Sequence, residues 1–455
     1  MRIIRKSLFS FISLLLISSL CSCGGGRSRH AAADTSDEQG EEQTESAKVK
    51  GSYSAAHPLE LKLYMERSGS MVSFDTNQSS GDFKGIVSTL LNRFPTINSS
   101  DSTSVYIVND NIYPYEGSVK DFLSQRDFFT ATKEIGNPSY TDFDKIFSMI
   151  LADMKTYQVS ALVTDLIYSA KGQESISANK LLNEAYALTH NTFKGHTSNS
   201  VIVLKFSAGY NGPYYPYNSP LKGEQYNGER PFYVLLFASK ESLRELYNSS
   251  SEYAPFTKFS TLANYEDMFC FTDVTFNPKF SIITKYDHEG RYTKDRSIKS
   301  ALVTGIDDAQ LSKEGKITIP IAVDLSEIPL SESYKRNKNL YDVESSTGFK
   351  ITSIKAIGNI ENADKIKDNF PGATHLITLE STEKPKNEKV SIRLNYQLPA
   401  WVGESSTTDD SNLSGDEFDS TTFGLEDMMR GIFAAYVPDG TQHSLFNLEF
   451  TIKKK

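Results

Sequence analysis

The chain has 455 residues, of which 38% are hydrophobic and 11% aromatic, and its formal net charge is −9. This length is more than one hydrophobic core usually serves, so we expect two folded domains after an N-terminal leader. The acidic balance and the lack of any cluster of Lys and Arg argue against a nucleic-acid partner, because binding of the phosphate backbone depends on clustered basic side chains.

The first 23 residues carry the features of a targeting segment. "MRIIRKSLFSFISLLLISSLCSC" has a basic start, a short apolar run and small residues before its last cysteine. The apolar run is too short to predict a membrane span. Residues 20–23, Leu-Cys-Ser-Cys, resemble a bacterial lipobox, and this resemblance implies that Cys23 is lipidated. An ordinary secretory signal is the alternative.

The next segment, residues 24–56, is rich in Gly and acidic side chains and is predicted to be a flexible tether. A Gly-rich start followed by an acidic tether resembles lipoproteins of Bacteroidetes-type bacteria, some of which reach the cell surface. We therefore expect a lipid-anchored protein of the bacterial cell envelope. It would be attached to the outer membrane, facing either the periplasm or the surface.

Residues 57–255 alternate between apolar strands and amphipathic helices, a pattern typical of a doubly wound, mostly parallel α/β sheet of Rossmann type. The predicted strands are "LELKLYM", "SVYIVN", "VSALVTDLIYS", "SVIVLKF" and "PFYVLLFA". The predicted helices are "GDFKGIVSTLLNRF", "TDFDKIFSMILADM", "ISANKLLNEAYALTHNTF" and "SKESLRELYNSS". A long loop rich in Tyr, Pro, Asn and Gly, residues 207–230, separates the last two strands.

Residues 256–455 read differently, as short runs of β-forming residues separated by turn residues. This spacing predicts a β-rich, sandwich-like second domain with one helix near residues 424–437. Cys270 falls in the first of these runs, and a thiol in a buried strand is usually chemically inert.

Polar side chains follow the predicted strands where the strands end. Glu66, Ser68 and Ser70 come directly after the first strand, and Asp165 closes the third. Thr141 lies in the loop that opens the second strong helix. Loops at the carboxyl ends of strands in an open α/β sheet meet at one edge, so we expect these oxygen atoms to lie together. Such ligands suit Mg²⁺ first, with Ca²⁺ or Mn²⁺ as alternatives.

Each of these residues also has a plainer interpretation. Ser68 and Ser70 are typical of turns and caps, Thr141 of a helix N-cap, and Asp165 of a turn. Asp142 and Asp144 are interpreted as charges favoured at a helix N-terminus. The order and spacing of the set favour a shared site.

The same residues carry a resemblance. "ERSGSM", "SYTDFDKIF" and "LVTDLI" resemble, in order and approximate spacing, the three parts of the metal-ion-dependent adhesion site of von Willebrand factor type A domains. Glu66 stands where that family usually has Asp, and Leu166 stands where Gly commonly follows the last Asp. The resemblance implies a type A fold over residues 57–255 and a divalent cation whose open position is filled by an acidic side chain of a protein partner.

Three functions follow as expectations. The first is a non-enzymatic binding protein for adhesion or complex assembly, with Tyr214, Tyr215 and Tyr217 as further partner contacts, since Tyr is enriched at interfaces. A loop held by its prolines against its own domain is the alternative for these tyrosines. The second is a structural envelope subunit whose metal site is degenerate. The third, a metal- or serine-dependent hydrolase, is disfavoured because histidines are scarce and no Gly-x-Ser-x-Gly motif surrounds Ser68 or Ser70.

Overall fold

The structure is a computed structural model that describes residues 57–76, 78–99, 101–170, 172–438 and 443–454. All of these lie within one compact unit, Ala55–Lys455. The predicted leader and tether, with the candidate lipid attachment residue Cys23, lie outside the described residues.

The central feature is a seven-stranded sheet. Its strands are β1 (Glu60–Glu66), β2 (Thr103–Val108), β3 (Ile112–Pro114), β4 (Gln158–Thr164), β5 (Asn199–Tyr214), β6 (Glu224–Ser239) and β7 (Tyr265–Phe271). They are arranged in the order β3-β2-β1-β4-β6-β5-β7. Pairing is parallel only between β1 and its two neighbours, β2 and β4. The other pairings are antiparallel, so the sheet is mixed.

Five helices accompany this sheet: α1 (Asp82–Asn92), α2 (Val119–Leu123), α3 (Phe143–Ala152), α4 (Ala178–Lys194) and α5 (Lys240–Tyr247). The buried side chains of α1 and α3 recur at three- and four-residue spacing, as the sequence predicts for helices with one apolar face. Every residue of β4 is buried, which is the pattern expected of a central strand covered on both faces.

The prediction of a loop at residues 207–230 is wrong. β5 and β6 continue through most of it as a long antiparallel hairpin, paired as far as Tyr214 and Glu224. Only residues 215–223 connect the two strands. A run rich in Tyr, Gly and Pro predicts a loop, but the aromatic rings pack against a distant part of the chain, and this packing overrides local propensity.

Two segments that follow residue 255, the predicted end of the α/β domain, pack with the strands and helices of that domain. β7 pairs with β5 at the edge of the sheet. Helix Leu425–Tyr436 packs against α4, where the hydroxyl of Thr189 donates a 3.0 Å hydrogen bond to the carbonyl of Met428. The contact is close, since a Cβ on Gly431 would lie 2.1 Å from Thr189 Oγ1.

The remaining strands form a β-rich part. In chain order they are β8 (Phe280–Ile282), β9 (Arg291–Lys294), β10 (Gly305–Gln310), β11 (Ile317–Val323), β12 (Tyr341–Glu344), β13 (Lys350–Ala356), β14 (His375–Ser381), β15 (Glu388–Asn395), β16 (Ser406–Thr407), β17 (Thr422–Phe423) and β18 (Ser444–Lys454). The helices that follow β7 in the chain are α6 (Glu332–Arg336), α7 (Asp364–Lys367), α8 (Ala400–Glu404) and α9 (Leu425–Tyr436), of which α9 is the helix that packs against α4.

These strands make a five-stranded sheet, β12-β15-β18-β10-β9, and a four-stranded sheet, β13-β14-β11-β8, while β16 and β17 pair only with each other. Apolar side chains from both larger sheets and from the seven-stranded sheet belong to one continuous core. The fold is therefore α/β followed by a β-rich part, as the sequence predicts. The prediction of a mostly parallel first sheet is wrong, because β5 and β6 form a direct hairpin and β3, β6 and β7 also pair antiparallel to their neighbours. In the described part of the chain, no helix is long and apolar enough to cross a membrane.

Candidate functional site

The site lies where β1 and β4 end. The two strands are parallel neighbours, with Met65 opposite Val163, so their carboxyl ends reach the same edge of the sheet. Glu66 is the last residue of β1, and Asp165 directly follows β4. Only 1% of Glu66 and 2% of Asp165 is exposed. Two carboxyl groups are therefore buried side by side at the position that the sequence predicts.

The loop after β1 brings Ser70 to Asp165 and places Ser68 beside Ser70. Ser70 donates a 2.6 Å hydrogen bond to Oδ2 of Asp165, and its oxygen lies 3.1 Å from that of Ser68. Ser70 precedes a short 3-10 turn but makes no capping hydrogen bond with its side chain. Ser68 also accepts a long, 3.4 Å hydrogen bond from the amide of Met71. The plainer interpretation as a cap is therefore wrong for Ser70 and holds in part for Ser68.

The start of α3 supplies a further hydroxyl. Thr141 donates a 2.5 Å hydrogen bond to Oε1 of Glu66. The N-cap of α3 is the next residue, Asp142, whose carboxylate accepts from the amide of Lys145 at 3.2 Å. Asp144 lies in the first turn of the helix. The interpretation of Asp142 and Asp144 as helix N-terminal charges is confirmed, and the hydroxyl of Thr141 is left for Glu66.

Thr164 is a further member of the site that the sequence alone does not predict. Its hydroxyl donates to Oε2 of Glu66 and accepts from the amide of Leu166 at 2.9 Å. Leu166 has a φ of 53°, in the left-handed region that glycine favours. The chain thus keeps, with a buried Leu, a backbone conformation usually provided by Gly. Parallel pairing of β1 with β4 is the signal that would have revealed Thr164, because it brings Thr164 beside Glu66.

Burial dominates the electrostatics of the site. Loss of water is the largest effect on Glu66 and raises its pKa above the ordinary value, and repulsion from Asp165 is the second. Hydrogen bonds from the hydroxyls of Thr141 and Thr164 oppose this rise. Burial also raises the pKa of Asp165, while the hydrogen bond from Ser70 and the charge of Arg230 act in the opposite direction. A positive charge between the two carboxyl groups would favour their ionised forms.

A pocket of about 300 Å³ opens onto these groups and is lined by all five predicted residues, Glu66, Ser68, Ser70, Thr141 and Asp165. Tyr140 and Gln173 contribute to its wall. Tyr215 and Leu221, from the turn between β5 and β6, form the remaining side. Leu221 is 77% exposed, so it lies at the rim.

The three tyrosines of this turn region differ in their surroundings. Tyr214 is fully buried and donates a 2.6 Å hydrogen bond to Asp410, so the prediction that it contacts a partner is wrong. The ring of Tyr217 is stacked on that of Phe423, with 4.8 Å between ring centroids. Tyr215 lines the pocket and is partly exposed. Of the three, Tyr215 is placed to touch a molecule bound in the pocket.

The residues fit a divalent cation by the chemistry of their donors. A hydroxyl has one proton and two lone pairs. Ser70 and Thr141 use their hydroxyl protons in hydrogen bonds to the carboxylates, so the lone pairs of their oxygens are available to a cation. The carboxylates supply negative charge. Among the described residues, no group of three or more His, Cys, Asp or Glu could hold a metal. An ion here would therefore depend on hydroxyl oxygens as well as the two carboxylates.

Cys270 lies in β7 with a fully buried side chain, and burial raises the pKa of its thiol. This agrees with its interpretation as an inert core residue.

The comparisons with known proteins give no relative. No protein-family model, no curated protein and no solved structure matches this chain.

Proposed function

We propose that this protein is a binding protein that holds a divalent cation in the pocket at the ends of β1 and β4. The ion, Mg²⁺ in the first place, would be held by Ser68, Ser70, Thr141 and the two carboxylates, Glu66 and Asp165. Its role would be to provide a positive, incompletely coordinated centre for an acidic side chain of a protein partner. The adhesion-type motif is the resemblance behind this proposal.

The observation that carries the proposal is the convergence of the predicted oxygen atoms. Three separate pieces of chain bring their polar side chains into one pocket: the end of β1 with the loop after it, the start of α3 and the end of β4. The hydroxyl of Ser70 donates to the carboxylate of Asp165, and the hydroxyls of Thr141 and Thr164 donate to that of Glu66. Buried carboxyl groups without a compensating cation are costly, and a bound ion offsets that cost.

The test is calorimetric titration of the unit Ala55–Lys455 with Mg²⁺, Mn²⁺ and Ca²⁺. We expect saturable binding that Asp165→Asn weakens by about tenfold or more, because the variant keeps the shape of the side chain and removes its charge. The control is Asp308→Asn, an exposed residue of β10, which should bind as the parent does. No heat from any of the three ions and no shift in melting temperature would contradict the proposal.

The second candidate is a structural envelope subunit whose metal site is degenerate. One observation favours it: both oxygens of Glu66 and one oxygen of Asp165 already accept hydrogen bonds from hydroxyls of the chain itself. Such a network can stabilise the fold without an ion. The same titration separates the two candidates. A hydrolase has no comparable support, and we do not propose one.

The proposed location is the cell envelope, with the protein anchored by lipid on Cys23. This part rests on the lipobox resemblance alone. Expression of the full chain in a bacterial host with an alkyne-bearing fatty acid tests it. The parent should incorporate the label and Cys23→Ser should not, whereas equal labelling of both would contradict lipidation at Cys23.

A further inference from the structure

The C-terminal segment Ser405–Gly424 closes over the hairpin of β5 and β6. Its two ends pair as β16 and β17. Lys205 of β5 donates a 2.7 Å hydrogen bond to Ser405, and the hydroxyls of Tyr233 and Thr422 lie 3.2 Å apart. The segment is thus attached to the seven-stranded sheet at both ends.

A buried arginine holds the middle of this segment. Arg230 of β6 is only 2% exposed, and its guanidinium donates to the carbonyl of Phe418. The guanidinium carbon lies 4.1 Å from the centroid of the Phe418 ring and 4.8 Å from that of Tyr214. A cation between two aromatic faces in a buried position is a strong, directional contact.

Asp410 then fixes the turn that carries Tyr215. One carboxylate oxygen accepts from the hydroxyl of Tyr214 at 2.6 Å, and the other accepts from the amide of Tyr217 at 2.9 Å. These two contacts lie on either side of Tyr215 in the sequence. Asp410 is 1% exposed, so water does not compete with them.

Tyr215 in turn packs against the loop of the candidate cation site. A Cβ on Gly69 would lie 2.7 Å from Cε2 of the Tyr215 ring. Gly69 stands between Ser68 and Ser70; the hydroxyl of Ser70 donates to Asp165, and that of Ser68 lies beside it. On the other side of the ring, a Cβ on Gly223 would lie 3.0 Å from Cε1. The ring therefore fills the gap between the turn and the serine loop.

We propose that Asp410 is a positioning residue for the candidate site: through Tyr214 and Tyr217 it holds the Tyr215 ring against the Ser68–Gly69–Ser70 loop. The consequence for binding rests on the proposed function, because it concerns the affinity of the same pocket for a cation. The positioning itself does not depend on an ion, and it is measured separately.

The first measurement is amide hydrogen exchange in the unit Ala55–Lys455. The loop offers suitable reporters, because the amide of Gly69 donates to Pro138 at 3.1 Å and that of Arg67 to Val108 at 2.9 Å. In Asp410→Ala we expect exchange to accelerate by about tenfold in peptides covering residues 67–72 and 214–223. Asp409→Ala, which changes an exposed neighbour, should exchange as the parent does.

The second measurement is luminescence of Tb³⁺, used as an oxygen-binding probe ion and excited through nearby tyrosine. Asp410→Ala should weaken Tb³⁺ binding by about fivefold or more, and Asp410→Asn, which keeps one acceptor, should fall between it and the parent. Tyr215→Leu guards against general unfolding of the Asp410 variants. It should accelerate exchange in residues 67–72 and leave residues 405–412 unchanged.

The outcomes are distinct. Unchanged exchange in residues 67–72 in both Asp410→Ala and Tyr215→Leu would overturn the positioning role, whatever Tb³⁺ does. Accelerated exchange confined to the expected peptides would establish it even if Tb³⁺ binds to neither protein, and that second result would instead count against the proposed function. Equal Tb³⁺ affinity in the parent and Asp410→Ala would overturn the link between position and affinity.

Discussion

The hydroxyl of Thr141 lies 2.5 Å from Oε1 of Glu66 and donates its proton to it. This hydrogen bond connects the start of α3 to the end of β1, and it uses a hydroxyl that would otherwise cap the helix. Asp142 caps α3 instead. Asp142 therefore caps the helix, and Thr141, the residue before it, donates a hydrogen bond to the buried carboxyl group of Glu66.

Removing this hydroxyl should destabilise the protein measurably. Thr141→Val keeps the shape of the side chain but leaves a buried carboxyl oxygen without its donor, which typically costs about 1–3 kcal/mol. Thr141→Ser keeps the donor and should cost less. Urea unfolding of the two variants beside the parent measures the difference. If the valine variant is as stable as the serine variant, the hydrogen bond contributes nothing to the fold.

The packing of α9 on α4 is tested by a pair of glycine substitutions. In Gly431→Ala the new methyl group would lie 2.1 Å from Thr189 Oγ1 and 2.3 Å from the carbonyl oxygen of Tyr186. The helices must then separate, and overpacking of this kind typically costs about 1–3 kcal/mol. The matched control is Gly85→Ala in α1, where no atom lies within 4 Å of the new methyl.

The control should stabilise the protein by about 0.5–1 kcal/mol, because alanine is the better helix former. Melting temperatures of both variants give the comparison. Equal stability of Gly431→Ala and the parent would show that the C-terminal helix does not pack on the α/β layers as described.

A single unfolding transition in the parent is also expected, since β7 and α9 link the two parts of the chain.

The buried amine of Lys335 predicts a dependence of stability on pH. Lys335 of α6 is 7% exposed. Burial lowers its pKa from 10.5 to about 8, although Glu332 and Asp324 act in the opposite direction. Between these two pH values the unfolded chain binds a proton that the folded protein does not, so the contribution of this group to the free energy of unfolding rises with pH.

Lys335→Met should therefore raise the melting temperature at pH 7, because the parent protein buries a charged amine at that pH. The increase in melting temperature should be smaller towards pH 10. The control is Lys367→Met, an exposed lysine of α7, for which a change within about 0.5 kcal/mol is expected at both values. Thermal unfolding at pH 7 and pH 10 gives the answer. A gain that grows with pH would contradict the assignment of Lys335 as a buried amine.

The sequence was sufficient to predict the site's main members for a physical reason. Glu66 and Asp165 end neighbouring parallel strands, and carboxyl ends of such strands meet at one edge. Thr164 follows from the same pairing once the register is known. The elements of the α/β part are strongly periodic, and their types were therefore readable from the order of apolar residues.

What the sequence does not reveal depends on contacts between distant residues. Tyr214 lies 196 positions from Asp410, and Arg230 lies 188 positions from Phe418. No local pattern encodes such pairs, so the sequence predicts a loop for the Tyr-rich part of the hairpin and a partner contact for Tyr214. For the same reason the sequence predicts β7 as part of the β-rich region, since only its pairing with β5 places it in the first sheet.

The measurement that tests the central claim most directly is the anomalous scattering of Mn²⁺ soaked into crystals of the unit Ala55–Lys455. The proposal predicts a peak in the pocket within about 2.6 Å of oxygen atoms of Ser68, Ser70 or Thr141, which is the range of hard-cation ligand distances. The peak should be absent in Asp165→Asn crystals soaked in the same way. Well-diffracting parent crystals with no peak in this pocket, or with peaks only elsewhere, would contradict the claim that these residues hold a cation.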